Sequence, residues 1–368
     1  MILIGTDDGI YRWFEGCGWP IFHSLQGRSL VDVSSPGGGI LAALDRSGAV
    51  YESVNNGQDW RTIPLPAGLV TSTPTALALW GSPGAIVLAT RPLGLLSRPV
   101  GAAIPRPEPK PSTNPKSGSI LVERARSAAA KGTALLPSRK KPTSEVDRET
   151  AGWSRLNVPN VAGAADPAIR AMALATGPAR PWLVAVRGAG LWRSTDSAAS
   201  WKQCPGLPAE VNAVRVTPKR PGALFAATSN GVWVSNDEGE TWEERSAGLE
   251  DTRYLSTLDV KPDAPDTLLA AAAPREPGTA ETAPRGGLDF SLLESTNGGK
   301  SWSRVVRRGI PETFAHDAIT DVRYDPAAPE NIVVALASGE IWLSRNAGAY
   351  FSPLARQIEA ARVLCATV

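Results

Sequence analysis

Two short loops carry the residue types that could perform nucleophilic or acid–base chemistry in this chain. The first, GLEDTRYLS, holds Glu250, Arg253 and Tyr254. A tyrosine close to a glutamate is a nucleophile pair that some glycoside-cleaving enzymes use. The second, TFAHDAI, holds His316 next to Asp317, which could act as a general base and its orienting carboxylate. Ordinary polar loops contain the same residues more often, so both interpretations stay open.

Arginines form the other set of candidate functional residues. Arg46, Arg91 and Arg187 occur in the turns LDRSG, ATRPLG and AVRGAG, each of which follows an apolar segment. Arg28 lies in a loop shortly before the first of these turns. Guanidinium groups suit carboxylate or phosphate because they form forked hydrogen bonds. The four arginines are either a shared partner-binding site or a solvated rim that keeps the surface polar.

An eight-residue repeat indicates which elements position these loops. The segment Ser235–Trp242 reads SNDEGETW and fits the pattern S-x-D-x-G-x-T-W without a mismatch. We call this segment and its weaker copies boxes. The copies are SVNNGQDW (Ser53–Trp60), STDSAASW (Ser194–Trp201), STNGGKSW (Ser295–Trp302) and SRNAGAYF (Ser344–Phe351), and a decayed copy ends at Trp19.

Each box position has a predicted structural role. The Asp or Asn side chain accepts backbone N–H bonds two residues further on and closes a turn. The Gly supplies a positive φ, and the aromatic residue begins the next strand and packs against the neighbouring repeat. The residues with these roles are Ser53, Asn55, Gly57, Trp60, Ser194, Asp196, Trp201, Ser235, Asp237, Gly239, Trp242, Ser295, Asn297, Gly299 and Trp302.

The boxes resemble the Asp-box or BNR repeat of sialidase-like β-propellers. The architecture looks closest to single seven-bladed propellers of the photosystem II assembly factor type and to WD40/YVTN/BNR-like bacterial repeat proteins. The resemblance covers nearly the whole chain. It implies a propeller fold and leaves the function open.

The repeat count predicts an all-β, seven-bladed β-propeller of four-stranded antiparallel blades. Each repeat reads as four short strands, which we label a to d, with the box between c and d. Aromatic residues at 19, 60, 153, 201, 242, 302 and 351 mark seven repeats. The first repeat lacks strand a, whereas 361–368 contains an unused apolar segment. We predict that this C-terminal strand pairs into blade 1, innermost beside residues 1–25, and closes the ring.

Two insertions interrupt the single propeller domain of 1–368. The segment 99–149 is rich in Pro, Ser, Lys and Arg, and the spacing of the aromatics predicts that it lies inside the box hairpin of blade 3. It has ten Lys/Arg against five acidic residues, and its composition predicts disorder at both ends. The middle, 119–136, could form a short amphipathic helix when docked. A smaller insertion, 274–286, falls in blade 6.

Strand alternation sorts the loops onto two faces. The a–b and c–d connections share one face with the boxes and 99–149. The b–c and d–a connections, with the arginines and 274–286, share the other. In propellers the latter face commonly carries the ligand, which is an analogy between folds.

Composition excludes several classes of site. Three cysteines (Cys17, Cys204 and Cys365) and two histidines form no disulfide framework or metal-ligand spacing, so we expect no cofactor and no metal. No signal peptide and no apolar run of about 20 residues are apparent, which predicts a cytoplasmic monomer without a membrane span. The net charge of +2 does not favour nucleic acid, although the basic insertion leaves that partner open.

Two functions are compatible with the resemblance. Sialidases need an arginine triad, a Tyr nucleophile, an acid/base carboxyl and an R-I-P type motif on six blades, and xyloglucanase-like hydrolases build a cleft between two propellers. This chain has neither the motif nor the second propeller. We therefore predict a non-catalytic propeller that binds a protein or peptide partner through Arg28, Arg46, Arg91 and Arg187. The alternative is a glycoside hydrolase, sialidase-like or xyloglucanase-like, acting at the same face.

Overall fold

The computed structural model describes residues 1–14, 17–18, 20–66, 73–81, 84–102, 152–175, 180–217, 219–220, 222–274, 290–305, 317–355 and 363–366. All regular elements in this part of the chain are β-strands, and they form seven four-stranded antiparallel sheets. The predicted seven-bladed all-β propeller is confirmed.

The strands follow one another in chain order through the blades. Blade 1 contains β1 (Ile2–Thr6), β2 (Gly9–Trp13) and β3 (Ile21–Ser24), and blade 2 contains β4 (Leu30–Gly37), β5 (Ile40–Asp45), β6 (Val50–Ser53) and β7 (Arg61–Ile63). Blade 3 contains β8 (Thr73–Trp80), β9 (Ala85–Arg91), β10 (Gly94–Pro99) and β11 (Ser154–Leu156). Blade 4 contains β12 (Ile169–Leu174), β13 (Trp182–Val186), β14 (Gly190–Ser194) and β15 (Lys202–Gln203).

The remaining blades repeat the pattern. Blade 5 contains β16 (Val211–Val216), β17 (Leu224–Thr228), β18 (Gly231–Ser235) and β19 (Glu243–Glu244), and blade 6 contains β20 (Tyr254–Val260), β21 (Leu268–Ala273), β22 (Ser291–Ser295) and β23 (Ser303–Arg304). Blade 7 contains β24 (Ile319–Asp325), β25 (Ala328–Leu336), β26 (Ile341–Ser344) and β27 (Ser352–Ala355), and β28 (Val363–Ala366) follows it.

The C-terminal strand closes the ring as predicted. β28 pairs antiparallel with β1, with Ile2 opposite Ala366 and Gly5 opposite Val363. The strand order in this sheet is β28-β1-β2-β3, so β28 is the innermost strand of blade 1. The first and last strands therefore share one blade, and the ring of sheets has no open margin.

Strand position within a blade determines its burial. The second strands, such as β13 and β17, are buried along their whole length, because neighbouring blades cover both faces of the sheet. Their sequences are accordingly continuous apolar runs rather than alternating ones. The outermost strands β15, β19 and β23 are two residues long and exposed, and such short edges resist pairing with other chains.

The core lies between blades. One cluster joins Phe225 of blade 5 to Leu258 and Leu268 of blade 6, and each of these side chains is fully buried. Burying a side chain of this size stabilises the fold by about 1.5–3 kcal/mol. Each blade is thus held chiefly by apolar contact with the blade on either side.

The boxes form a common hairpin with a hydrogen-bond pattern that differs from the predicted one. In the box of blade 5, Ser235 Oγ donates to Asp237 Oδ1 at 2.8 Å and accepts the buried N–H of Gly239 at 2.8 Å. Asp237 Oδ1 accepts the N–H of Thr241, four residues further on rather than two, at 2.9 Å. Two successive residues with positive φ, Glu238 (60°) and Gly239 (90°), turn the chain so that the later N–H points back at the carboxylate.

The same bonds recur in the other four boxes. The serine hydroxyl accepts the N–H four residues on at 2.9 Å in each of them. The Asn or Asp oxygen likewise accepts the N–H four residues beyond it at 2.8–3.0 Å. An Asn serves as well as an Asp because the bond needs only an oxygen acceptor.

Tryptophan side chains attach blades 2, 3, 4 and 6 to the blade before each of them, whereas the Trp242 indole of blade 5 donates to Gly239 of its own box. The indole N–H of Trp60 donates to Ser24 Oγ of blade 1 at 2.9 Å, and that of Trp302 donates to the carbonyl of Arg245 at 2.9 Å. Trp153 donates to the carbonyl of Pro64, and Trp201 to that of Asn157. Trp19, the aromatic predicted for blade 1, lies outside the described residues.

The two segments predicted to be insertions connect strands that pair with each other, although Pro99, the predicted first residue of the long one, is the last residue of β10. β10 pairs with β11, with Ser97 opposite Ser154, although the long segment separates them in sequence. β21 pairs with β22, with Ala272 opposite Ser291, on either side of the shorter segment. Residues 103–151, including the predicted helix, and residues 275–289 lie outside the described part of the chain.

Candidate functional site

The strand order places the four predicted arginines on one face. Arg46, Arg91 and Arg187 are exposed at the b–c turns of blades 2, 3 and 4, and Arg28 is exposed in the d–a loop between blades 1 and 2. The amide of Arg46 donates to the carbonyl of Ser29 at 2.8 Å and joins that turn to the loop beside it. We call these four arginines the arginine rim.

Local carboxylates pair with two of the rim arginines. Arg46 Nη2 lies 3.7 Å from Asp7 Oδ1, and the Arg46 side chain is 60% exposed. Arg91 Nε donates to Asp166 Oδ1 at 2.7 Å, and its Nη2 also pairs with Asp166. The guanidinium carbon of Arg28 lies 5.8 Å from the Tyr51 ring centroid, which is a cation–π distance. The rim is therefore a set of separately placed cations whose counter-charges come from neighbouring loops.

Carboxylates on this face also hold the turns in place. Asp317 Oδ2 accepts the N–H of Ser338 at 3.1 Å, Glu210 Oε1 accepts that of Gly188 at 3.0 Å, and Asp8 Oδ1 accepts that of Gly27 at 2.8 Å. Each bond ties a d–a loop to a b–c turn. Asp317 thus has a structural partner, while His316, its predicted catalytic neighbour, lies outside the described residues.

Glu250, Arg253 and Tyr254, the residues of the predicted nucleophile loop, each contact different partners. Glu250 Oε1 accepts the N–H of Gly248 at 3.0 Å, and this bond lowers the pKa of the carboxyl. Arg253 Nε donates to Asn230 Oδ1 at 2.6 Å, and its Nη2 pairs with Glu244. Tyr254 begins β20 and packs against the apolar cluster between blades 6 and 7. A carboxylate of lowered pKa is a poorer proton acceptor, so Glu250 is weakly suited to activate a tyrosine.

A central channel of about 740 Å³ is lined by the innermost strands β4, β8, β12, β16, β20 and β24. Each of these strands has a β-bulge near its start, and a bulge leaves one residue unpaired. Six channel-lining side chains occupy these bulges: Val31, Thr75, Arg170, Asn212, Ser256 and Thr320. Because strand a starts at the b–c/d–a face, this ring lies at the end of the channel next to the arginine rim.

Two of these six bulge side chains, Arg170 and Asn212, bridge consecutive blades. Arg170 Nη1 donates to Asn212 Oδ1 at 2.9 Å and lies 3.2 Å from Glu210 Oε2. Asn212 Nδ2 in turn donates to the carbonyl of Leu255 at 2.8 Å. Arg170 and Asn212 thus link blades 4, 5 and 6 at this end of the channel.

A charged cluster lies further along the channel, towards the boxes. Arg323 Nη2 pairs with Asp321 Oδ2 at 3.1 Å, and its Nη1 lies 3.6 Å from Asp259 Oδ1. Arg215 Nε lies 3.5 Å from the same Asp259 oxygen. Asp32 Oδ2 accepts the N–H of Leu77 at 2.9 Å. Three carboxylates and two guanidinium groups therefore share a confined space, in which electrostatic interactions are stronger than in water.

Burial shifts the ionisation of this cluster. Burial raises the pKa of Asp32 to about 6, against the opposing effect of the Leu77 N–H bond. Burial also lowers the pKa of Arg215 to about 10, because the nearby Arg323 adds to the loss of solvation. Perturbed groups in a concave site are candidates for function. Here each carboxylate also accepts a hydrogen bond from the wall of the channel, as Asp259 does from the N–H of Tyr324 at 2.9 Å.

The sequence contained a signal for this cluster that the loop-based reasoning missed. The charged residues occur inside the innermost strands, in the stretches VDVS, AVRV, TLDV and TDVRY. A charge between apolar residues of a strand predicts a polar face opposite a buried one. In a propeller that polar face of strand a is the channel wall.

Other kinds of site find no support among the described residues. No group of three or more His, Cys, Asp or Glu residues there is arranged to hold a metal ion. Cys17 and Cys204 are free thiols, and burial raises the pKa of Cys204 to about 11. No helix in the described part of the chain is long and apolar enough to cross a membrane.

Comparison with known proteins bears mainly on the fold. The family model described as Sortilin, neurotensin receptor 3 (Sortilin-Vps10) matches residues 189–308, which is about a third of the chain. The matched region contains the boxes of blades 4, 5 and 6. No curated protein sequence matches this chain.

Solved propellers of low sequence identity share the architecture. YCF48 bound to D1 peptide superposes with a TM-score of 0.56 at 13% identity, covering 96% of this chain and 90% of that one. YCF48 from Cyanidioschyzon merolae gives 0.54 at 11% identity, with 90% and 86% covered. A GH74 enzyme from Niastella koreensis gives 0.59 at 13% identity, with 90% of this chain but only 46% of the enzyme covered. At these identities the likeness shows the fold alone.

Proposed function

We propose that this chain is a non-catalytic propeller that binds an acidic protein or peptide segment across the b–c/d–a face, through Arg28, Arg46, Arg91 and Arg187. The observation that carries the proposal is that b–c turns of three consecutive blades present exposed arginines on one face of a rigid ring. Rigid scaffolds with functional side chains on loops are well suited to binding.

Exchange of counter-charges explains how a partner would bind. Exposed ion pairs such as Arg46–Asp7 and Arg91–Asp166 contribute only about 0–1 kcal/mol each. A carboxylate of the partner can replace Asp7 or Asp166 at little cost and form the same forked bonds. One of the similar structures is a propeller, YCF48, bound to a peptide, which supports a peptide as the kind of partner.

The repeat supports two finer assignments within this proposal. Five hairpins share one serine-centred hydrogen-bond pattern, and we assign them to the Asp-box type. We also propose that 99–149 is an insertion on the box face, opposite the rim, where its basic residues would give a partner a second point of contact.

Peptide binding tests the proposal directly. The full chain would be titrated into fluorescent acidic peptides of random sequence and into copies with Asn and Gln in place of Asp and Glu. We expect the Arg46→Ala/Arg91→Ala/Arg187→Ala variant to bind the acidic peptides at least tenfold more weakly. A control variant, Arg155→Ala/Lys202→Ala/Arg304→Ala, removes three exposed cations from outermost strands and should bind within twofold of wild type. Equal affinity of all three proteins, or of both peptide sets, would refute the rim as the site.

The hydrolase alternative finds less support in the structure. Glu250, its candidate base, accepts a backbone bond that lowers its pKa, and the similar GH74 enzymes are more than twice as long as the part this chain matches. Turnover of fluorogenic sialosides or β-glucosides would nevertheless establish catalysis. We expect no turnover above that of heat-inactivated protein.

A further inference from the structure

A second polar cavity lies on the box face, between blades 5 and 6, on the opposite side of the ring from the arginine rim. Its volume is about 430 Å³, and the described residues that line it are all polar or charged. Arg220 comes from the a–b loop of blade 5, Asp266 from that of blade 6, and Lys300 from the box of blade 6. Arg245, which follows β19, completes the charged wall.

Positive charge dominates this cavity. Arg220 Nη1 pairs with Asp266 Oδ1 at 2.7 Å, and Arg245 Nη2 pairs with Glu243 Oε2 at 2.8 Å. Lys300 has no carboxylate partner within the described part of the chain. An ammonium group without a carboxylate partner on the wall of a polar cavity is a place for an anionic ligand.

Backbone contacts hold the cations in position. Arg245 Nη1 donates to the carbonyl of Gly298 at 2.9 Å, and the N–H of Gly298 donates to the carbonyl of Asp266 at 2.8 Å. Gly298 has φ +70°, and a Cβ there would lie 3.0 Å from Asp266 Oδ1. The wall is therefore fixed before any ligand arrives, which reduces the entropic cost of binding.

The neighbouring interface shows what distinguishes this cavity. Between blades 4 and 5, Glu240 pairs with Arg193 at 2.5 Å and with Lys202 at 3.0 Å. Glu240 is the sixth residue of its box, and the sixth residue of the next box is Lys300. The same hairpin position thus carries a neutralising anion at one interface and an additional cation at the next.

We propose that the cavity between blades 5 and 6 binds the phosphate group of a phosphomonoester, with Arg220, Arg245 and Lys300 as its ligands. Forked guanidinium groups and an ammonium are the side chains that recognise phosphate. Among the described residues, no aromatic or aliphatic side chain lines the cavity, so this part of its wall offers no apolar surface on which a nucleobase could stack. The Asn236 and Thr296 side chains on its wall suit the hydroxyl groups of a sugar phosphate or the backbone next to a phosphorylated side chain.

Calorimetric titration of the full chain tests the proposal with three ligands: inorganic phosphate, glucose 6-phosphate and a phosphoserine peptide. We expect saturable binding of at least one. Lys300→Glu, which copies the residue that blade 5 already tolerates, should weaken binding at least tenfold. Gln58→Glu changes the sixth position of the blade 2 box and should leave affinity within twofold. Tighter binding of the sugar phosphate or of the peptide than of phosphate alone would identify the source of the phosphate group.

Two results would overturn the proposal. One is the absence of saturable binding by all three ligands, and the other is binding that Lys300→Glu and Arg220→Ala leave unchanged. Thermal unfolding of both variants near the wild-type temperature would show that lost affinity is not lost folding. The rim variant Arg46→Ala/Arg91→Ala/Arg187→Ala should bind phosphate normally, which separates this site from the proposed peptide site.

Discussion

Replacement of Glu52 should reveal how strongly one buried ion pair joins blades 2 and 3. Glu52 in β6 and Arg98 in β10 are both fully buried, and Arg98 Nη1 lies 3.1 Å from Glu52 Oε2. Glu52 Oε1 also accepts Arg61 Nη2 at 2.7 Å and the N–H of Gly101 at 2.6 Å. The Glu52→Gln variant keeps the shape of the side chain but removes the carboxylate charge that lies against the Arg98 guanidinium.

The expected magnitude follows from this burial. Removing one partner of a buried ion pair costs about 3–5 kcal/mol, because the other charge stays buried and uncompensated. Burial already lowers the pKa of Arg98, and the Glu52 charge opposes that effect. With an entropy of unfolding of about 2 cal/mol/K per residue, a loss of this size lowers the Tm of the chain by about 4–7 °C.

The partner substitution should cost less. In Arg98→Met the Glu52 carboxylate keeps Arg61 and the Gly101 N–H as partners, so its charge is still compensated. The double variant Glu52→Gln/Arg98→Met contains no unpaired buried charge, and we expect it to recover about 1–3 kcal/mol relative to Glu52→Gln. Stability would be measured by urea unfolding followed by tryptophan fluorescence, with an unchanged m-value as a check.

An exposed pair provides the control for this experiment. Glu244 pairs with Arg253 on the surface, and Glu244→Gln should change stability by no more than about 1 kcal/mol. The reasoning is refuted if Glu52→Gln costs no more than Glu244→Gln. It is equally refuted if the double variant is no more stable than Glu52→Gln.

Three further predictions concern single residues. The hydroxyl of Thr241 donates to the Asp237 carboxylate and lowers its pKa to about 2. The ionised Asp237 therefore stabilises the fold above about pH 4, and this stabilisation is lost as pH falls towards 2. Asp237→Asn should lose less stability than wild type between pH 4 and pH 2.5, measured by urea unfolding. Burial raises the pKa of Asp32 from its ordinary value of 3.8 to about 6, so its destabilising effect grows as pH rises from about 4 to about 6 and is constant above that. Asp32→Asn should therefore be up to about 3 kcal/mol more stable than wild type at pH 8 and similar at pH 4. Gly57→Ala and Gly299→Ala both place a Cβ on a residue of positive φ. The Cβ at position 57 would lie 2.6 Å from His23 Nε2, whereas the nearest atom to the Cβ at position 299 is 3.6 Å away. Gly57→Ala should therefore destabilise the fold by about 1 kcal/mol more than Gly299→Ala in the same unfolding assay.

Each of these predictions has an outcome that contradicts it. An Asp237→Asn variant that loses as much stability in acid as wild type would mean that the carboxylate is not linked to folding. Asp32→Asn should be compared with wild type at both pH values, and an equal difference at pH 4 and pH 8 would rule out ionisation as the cause. Equal costs at Gly57 and Gly299 would show that the conformational strain alone, and not the contact with His23, sets the penalty.

The repeat made the fold predictable because the box is a local structure. The serine, the Asp or Asn acceptor and the glycine of a box lie within five residues of one another, so the eight-residue segment is enough to specify the hairpin. The strand count then required a partner for β1, and the only unused apolar segment was at 361–368. Longer-range contacts were not specified in this way. Arg91 pairs with Asp166, 75 residues away, and nothing in the turn ATRPLG indicates that carboxylate.

The charged channel was missed for a physical reason. A one-residue bulge reverses which side of a strand each later residue faces. The bulges at Asn212 and Thr320 therefore decide whether Arg215 and Arg323 face the channel or the next blade. The bulge is a property of the assembled ring, and the strand sequence alone does not reveal it.

The box of blade 4 forms the common hairpin although it lacks the glycine of the sequence pattern. The blade 4 box has Ser197 and Ala198 where other boxes end their turn with Gly, yet φ is 56° and 68° at these positions. The hairpin keeps its form because Ser194 Oγ still accepts the N–H of Ala198 at 2.9 Å. The serine hydroxyl, more than the glycine, thus defines the turn.

The composite first blade has a consequence for synthesis of the protein on the ribosome. β1 is translated before the other strands of the propeller, but Ile2 pairs with Ala366, so its inner neighbour is translated only after all six other blades. Until then the nascent chain exposes a buried apolar strand that has no partner on that side. Such long-range pairing is slow, and exposed strand edges favour aggregation, so chaperone demand should fall sharply once the last strand emerges.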